Sequence, residues 1–148
     1  MVVSILKRCL LLVFTMAFVQ VNAQSIVGSW KRLSTTLEYL DGKKEDLQAT
    51  LVKNMPCVVN TVYIFKADGT HYSQSTKECE MIDKMGMANW QLSGNLLTLQ
   101  MKNQGNVKTS YTVTFSGNKM ILTHLYTAEE NKLTGTKVKQ LITIYERL

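Results

Sequence analysis

Proline is almost missing from this chain: Pro56 is the one such residue among 148. Proline removes a ladder donor and is confined to strand edges, so its scarcity leaves room for many paired strands. Long apolar runs are scarce too. The longest, Cys9 to Val19, falls short of the roughly 20 residues a spanning helix needs, and no membrane span is expected. Blocks of like charge are missing. Lysines come singly or in pairs (Lys43-Lys44, Lys53, Lys102, Lys108, Lys137, Lys139), as on solvated strand edges and loops. No basic cluster is interleaved with exposed aromatics, which argues against nucleic-acid binding.

Catalytic and metal signatures are equally thin. His71 and His124 stand alone, without ligand spacing to the cysteines, so no metal site is expected. The glycines sit in turns, without phosphate-cradling spacing. Glu38, Asp41, Glu45-Asp46, Glu78, Glu80, Asp83 and Glu129-Glu130 fall in loops or on a short helix, not as an opposed catalytic pair. No nucleophile–histidine–acid set is readable. The expectation is a non-enzyme with no catalytic residues and no cofactor.

What is present begins with a leader. Lys7-Arg8, the apolar run, and Val21-Asn22-Ala23 before Gln24 have the order of a signal peptide over residues 1–23. Cys9 opens the apolar run, well ahead of the cleavage point, so it cannot serve as a lipid-anchor cysteine there. A secreted or periplasmic protein without an anchor is expected, with one domain over residues 24–148. Without the leader, two cysteines remain, Cys57 and Cys79. In an oxidising compartment an even count favours a disulfide over two separate buried thiols. Ala67-Asp68-Gly69 reads as a hairpin loop. If it has three residues, positions whose numbers sum to 136 face each other, and 57 and 79 do. A four-residue loop would make the pair diagonal.

The rest of the chain alternates. Strands are expected over 26–40, 58–66, 70–75, 89–92, 96–101, 108–115, 119–126 and 137–147, joined mostly by Gly/Asn turns. Between the first two, Leu47, Leu51 and Met55 recur every four residues over Lys44 to Met55, predicting a short amphipathic helix ended by Pro56. Asp41 or a polar neighbour could cap it. Residues 80–87 read as a loop or single helical turn, and 127–135 as a polar loop. Eight antiparallel strands predict an all-β fold, an up-and-down barrel or a sandwich.

Several blocks resemble the secreted lipocalin-like domain proteins of Bacteroidetes-type bacteria, within the calycins. They are Ile26-Val27-Gly28-Ser29-Trp30; Cys57 ahead of Tyr63-Ile64-Phe65-Lys66-Ala67-Asp68-Gly69-Thr70, then Cys79; Asn89-Trp90-Gln91-Leu92-Ser93-Gly94-Asn95-Leu96-Leu97-Thr98-Leu99; and Tyr145-Glu146-Arg147. The resemblance covers residues 26–148. It implies an eight-stranded antiparallel up-and-down barrel with one short helix between the first and second strands. It also implies that Trp30 plugs one end and that Arg147 covers it. The chain departs from the pattern in lacking an anchor cysteine, in carrying Ala88 where relatives have Gly, and in lacking Thr-Asp-Tyr, of which Thr109-Ser110-Tyr111 is an echo.

A barrel directs alternate residues inward. Tyr63, Phe65, Trp90, Tyr111, Val113, Met120, Leu122 and His124, with Leu92, Leu97 and Leu99, form the candidate lining for a small hydrophobic ligand. In the second strand Val62 and Ile64 compete with Tyr63 and Phe65 for the inside, since a one-residue slip swaps the faces. The alternative is a filled barrel that contacts a protein or glycan, using an apolar patch at Met81, Ile82, Met85 and Met87. A monomer is expected.

Overall fold

The computed structural model describes residues 25–105 and 107–148. The leader expected over residues 1–23 lies outside these, as does Asn106. Nine strands form one antiparallel sheet: β1 (Gly28–Tyr39), β2 (Lys44–Asp46), β3 (Val62–Phe65), β4 (Thr70–Gln74), β5 (Ala88–Ser93), β6 (Leu96–Met101), β7 (Lys108–Ser116), β8 (Lys119–Leu125) and β9 (Val138–Arg147). Neighbours in sequence pair in space from β3 to β9, and β9 pairs back onto β1. Eight strands thus close a barrel, without open ladder edges between them. The ninth, β2, is an addition. It pairs with β1 at Thr36–Glu38, above the stretch Gly28–Lys31 that pairs with β3.

The up-and-down order gives the barrel two unlike ends. The floor carries the tight turns β3–β4, β5–β6 and β7–β8. The rim carries α1 (Leu47–Asn54), α2 (Glu80–Met85), α3 (Ala128–Thr134) and the 3-10 turns Pro56–Asn60 and Lys77–Cys79.

Register settles the faces. Tyr63 pairs with Trp30, and Phe65 with His71. Trp30 is 1% exposed and Phe65 is buried beside it in the core. Tyr63 and Phe65 therefore face inward, and Val62 and Ile64 outward. The core gathers Ile26, Trp30, Phe65, Ala88, Leu97, Leu99, Val113, Met120 and Leu122.

Local readings shift at several places. The expected strand over 58–66 starts at Val62, because Pro56 opens a 3-10 turn in which Val58 is buried. Proline at the first position of such a turn loses no bond, since that N–H has no partner there. The expected helix over 44–55 is split: Lys44–Asp46 joins the sheet, and Asp46, not Asp41, caps α1 by accepting from the Gln48 N–H at 2.8 Å. The expected polar loop over 127–135 is largely α3. Thr127 Oγ1 accepts from Glu130 N, and Glu130 Oε2 from Thr127 N, a reciprocal cap. Gly135, at φ 67°, ends that helix in the left-handed conformation.

The hairpin loop has three residues. Every β3–β4 pair sums to 136, from Val62–Gln74 to Phe65–His71. Cys57 and Cys79 extend that register beyond the strands and form a disulfide, with Cα atoms 6.0 Å apart. It ties the two 3-10 turns together at the rim.

Candidate ligand site in the barrel

At the floor, Trp30 Nε1 donates to Ile26 O at 2.8 Å, and the Arg147 guanidinium lies 4.4 Å from the indole centroid. Arg147 is held in turn by Val27 O and Ser25 O. Gly28 makes room for it. A Cβ there would sit 3.0 Å from Arg147 Nη1, and its φ of 142° suits glycine alone. The Gly-Ser-Trp motif is thus a seat for the closing arginine. A cation–π contact of this kind contributes about 0.5 to 2 kcal/mol.

The candidate lining divides by burial. Phe65, Val113, Met120 and Leu122 are buried in the core cluster, while Tyr63, Trp90 and Tyr111 are half-buried against it. Trp90 is tied down: its Nε1 donates toward Lys66 O (3.0 Å) and Thr70 O (3.1 Å), closing the foot of the hairpin. His124 sits where the β7–β8 ladder ends, above Thr112–Thr123. Its Nδ1 is 2.8 Å from Ser110 O and its Nε2 3.0 Å from Glu130 Oε1. Both partners are acceptors, so both ring nitrogens donate only when the ring is protonated. Glu130 is held below the ordinary carboxylate range, first by the Thr127 backbone N–H. Tyr111, His124 and Glu130 border a groove of about 340 Å³ beside α3.

Several inward residues were not on the candidate list. Tyr145 pairs with Arg32 on one side and Met120 on the other, and its ring meets Tyr63 edge-on at 5.1 Å. His71 packs 4.4 Å from Phe65, with Nδ1 3.2 Å from Gly86 O. Burial lowers its pKa to about 4. Burial also raises the pKa of Tyr63, Tyr111 and Tyr145, so their hydroxyls stay protonated. Ser73, buried, donates to Asp83 at 2.8 Å, and Asp83 also accepts from Ser75 N and Oγ. These bonds fasten α2 to β4.

The least expected inward residue is Arg32. Lysines are expected on edges and loops; Arg32 instead faces the interior, with Cζ 5.6 Å from the Tyr63 centroid. A bulge follows at Leu33, where pairing with β9 jumps from Arg32–Tyr145 to Ser34–Ile144. Below the bulge Trp30 and Arg32 face in, and above it Thr35 does. The legible signal was the spacing Trp30-x-Arg32, which puts the arginine on the face of the floor tryptophan.

No group of three or more metal-ligating side chains occurs among the described residues, and none of the described helices is long and apolar enough to cross a membrane. A closed eight-stranded barrel, corked by a tryptophan and covered at its rim by short helices, defines a lipocalin-like scaffold. The family model for the lipocalin-like domain matches residues 26–122, and the chain belongs to that family. The match ends within β8; β9, the strand that closes the barrel, lies beyond it. No curated protein and no solved structure gave a match.

Proposed function

We propose that this is a non-enzymatic, extracytoplasmic, monomeric lipocalin-like protein that binds a small hydrophobic molecule inside its barrel. The observation that carries the reading is the uneven packing of the inward-facing residues. Trp30, Leu97 and Met120 are fully buried, whereas their cross-strand partners Tyr63, Tyr111 and Tyr145, with Leu37 and Leu141 nearer the rim, keep accessible surface. Side chains that face inward and still meet solvent support a partly open interior, apolar with a few polar groups, as small-molecule sites are. Native mass spectrometry of protein purified without detergent from its own host is the test. A bound adduct, or saturable binding from a panel of fatty acids and aromatics quenching tryptophan fluorescence, is expected. Adduct-free protein indifferent to the panel would overturn the proposal.

A second reading has one specific observation behind it. Met81 is 75% exposed, and Met85 and Met87 are also exposed, on and just after α2. Adaptable methionines on an outer surface suit a macromolecular partner. Substituting all three by serine would abolish partner capture on this reading and leave small-molecule binding intact on the first.

A further inference from the structure

We infer that the barrel holds a headgroup site for a single carboxylate, centred on Arg32, so that its ligand is an amphipathic monocarboxylic acid. The inference rests on the proposed ligand-binding role and specifies the ligand's chemistry.

Arg32 Nε is buried without a hydrogen-bond partner, and so is Thr35 Oγ1, the next inward polar atom up the same strand. A guanidinium normally seeks carboxylate or phosphate, with which its planar fork matches two oxygens. Here the neighbours are aromatic. Arg32 lies over Tyr63, pairs with Tyr145, and the two tyrosines contact each other. Their neutral hydroxyls are donors that could flank an anion. Burial raises the Tyr63 pKa and the Asp83 carboxylate adds to it. Its oxygens already accept from Ser73 and Ser75. Glu38 is held by Lys139 and Gln140, and Glu45 by Tyr39. The inward-facing cation thus has no anion of its own among the described residues.

One guanidinium matches one negative charge; a phosphate dianion would carry a second charge into the barrel without a partner. Arg32 stands two residues above Trp30, or about 7 Å along the strand. The head would therefore rest near the floor, and an apolar tail would rise past Leu122 and Leu141 toward the rim helices. Thr35 and Thr143, paired across β1 and β9, border that path.

Dodecanoate and 1-dodecanol, titrated into the full mature chain by calorimetry, provide the test. Charge-assisted hydrogen bonds predict dodecanoate binding at least about tenfold more tightly. Arg32→Met should erase the preference while leaving dodecanol affinity unchanged, and Arg32→Lys should keep part of it. In the unmutated protein, the Arg32 Nε–H resonance should shift downfield with dodecanoate and not with dodecanol, a readout independent of whether the variants fold. Equal affinity for acid and alcohol, an unshifted Arg32 signal, or a preference surviving in Arg32→Met would overturn the headgroup site and leave the barrel-binding role standing. Tighter binding of dodecyl phosphate than of dodecanoate would overturn the single-charge assignment. Failure of every amphiphile to bind would overturn both.

Discussion

At the floor of the barrel, Trp30, Phe115 and Met120 meet under Arg147, and contiguous apolar burial does the closing. At the rim, three helices cover the opening, and none has a fully buried residue. They are held by the Cys57–Cys79 disulfide, by the Asp83 bonds to Ser73 and Ser75, and by caps at Asp46 and Thr127. One end is secured by area removed from water, the other by a handful of discrete ties. Elements with few buried apolar contacts open at low free energy. Such a barrel is expected to open at its rim before its floor.

Substitutions at the two ends test this contrast. Trp30→Ala has the largest expected effect, a loss of about 3 to 5 kcal/mol, because a large core side chain is deleted where it packs most tightly. Urea denaturation measures it; a loss under 1 kcal/mol would mean the floor is not where stability resides. Replacing Cys57 and Cys79 by serine comes next. Freeing that loop should lower stability by about 3 kcal/mol in the chain-entropy account. Hydrogen exchange should then rise at residues 47–60 and 77–86 and stay unchanged at the β8–β9 ladder. Faster exchange in both places would erase the distinction between the ends.

The third effect depends on pH. His71 titrates near pH 4 in the folded barrel and near 6.5 when free. Between those values the unfolded chain binds a proton that the folded one does not. Its contribution to stability is therefore present above about pH 6.5 and is lost as the pH falls toward 4. The loss attributable to this group is at most about 3 kcal/mol. His71→Gln should flatten the stability profile in that window; an unchanged slope would place the titration elsewhere. The smallest effect is expected at Thr127→Ala, about 1 kcal/mol from a lost cap. It should appear as faster exchange within Ala128–Thr134, with the floor undisturbed.

Period-two alternation made most strands legible, because a half-buried strand displays its inward and outward faces in consecutive residues. The Gly-containing turns were legible for the same local reason. So was the cysteine pairing: a three-residue hairpin loop sets which numbers face each other, and 57 and 79 inherit that arithmetic from β3 and β4. The helix at 128–134 was also written locally, in Thr127-x-x-Glu130 and Gly135, but its polar composition reads as loop unless the cap is recognised.

By itself, then, the order of residues determined the strands, the hairpin and the staple, since each follows from interactions among near neighbours. Closure of β9 on β1 and the Leu33 bulge were decided only in three dimensions. A bulge inverts every face beyond it without altering composition. Which residue stands opposite that inward arginine depends on a partner strand more than a hundred residues away, Arg32 against Tyr145.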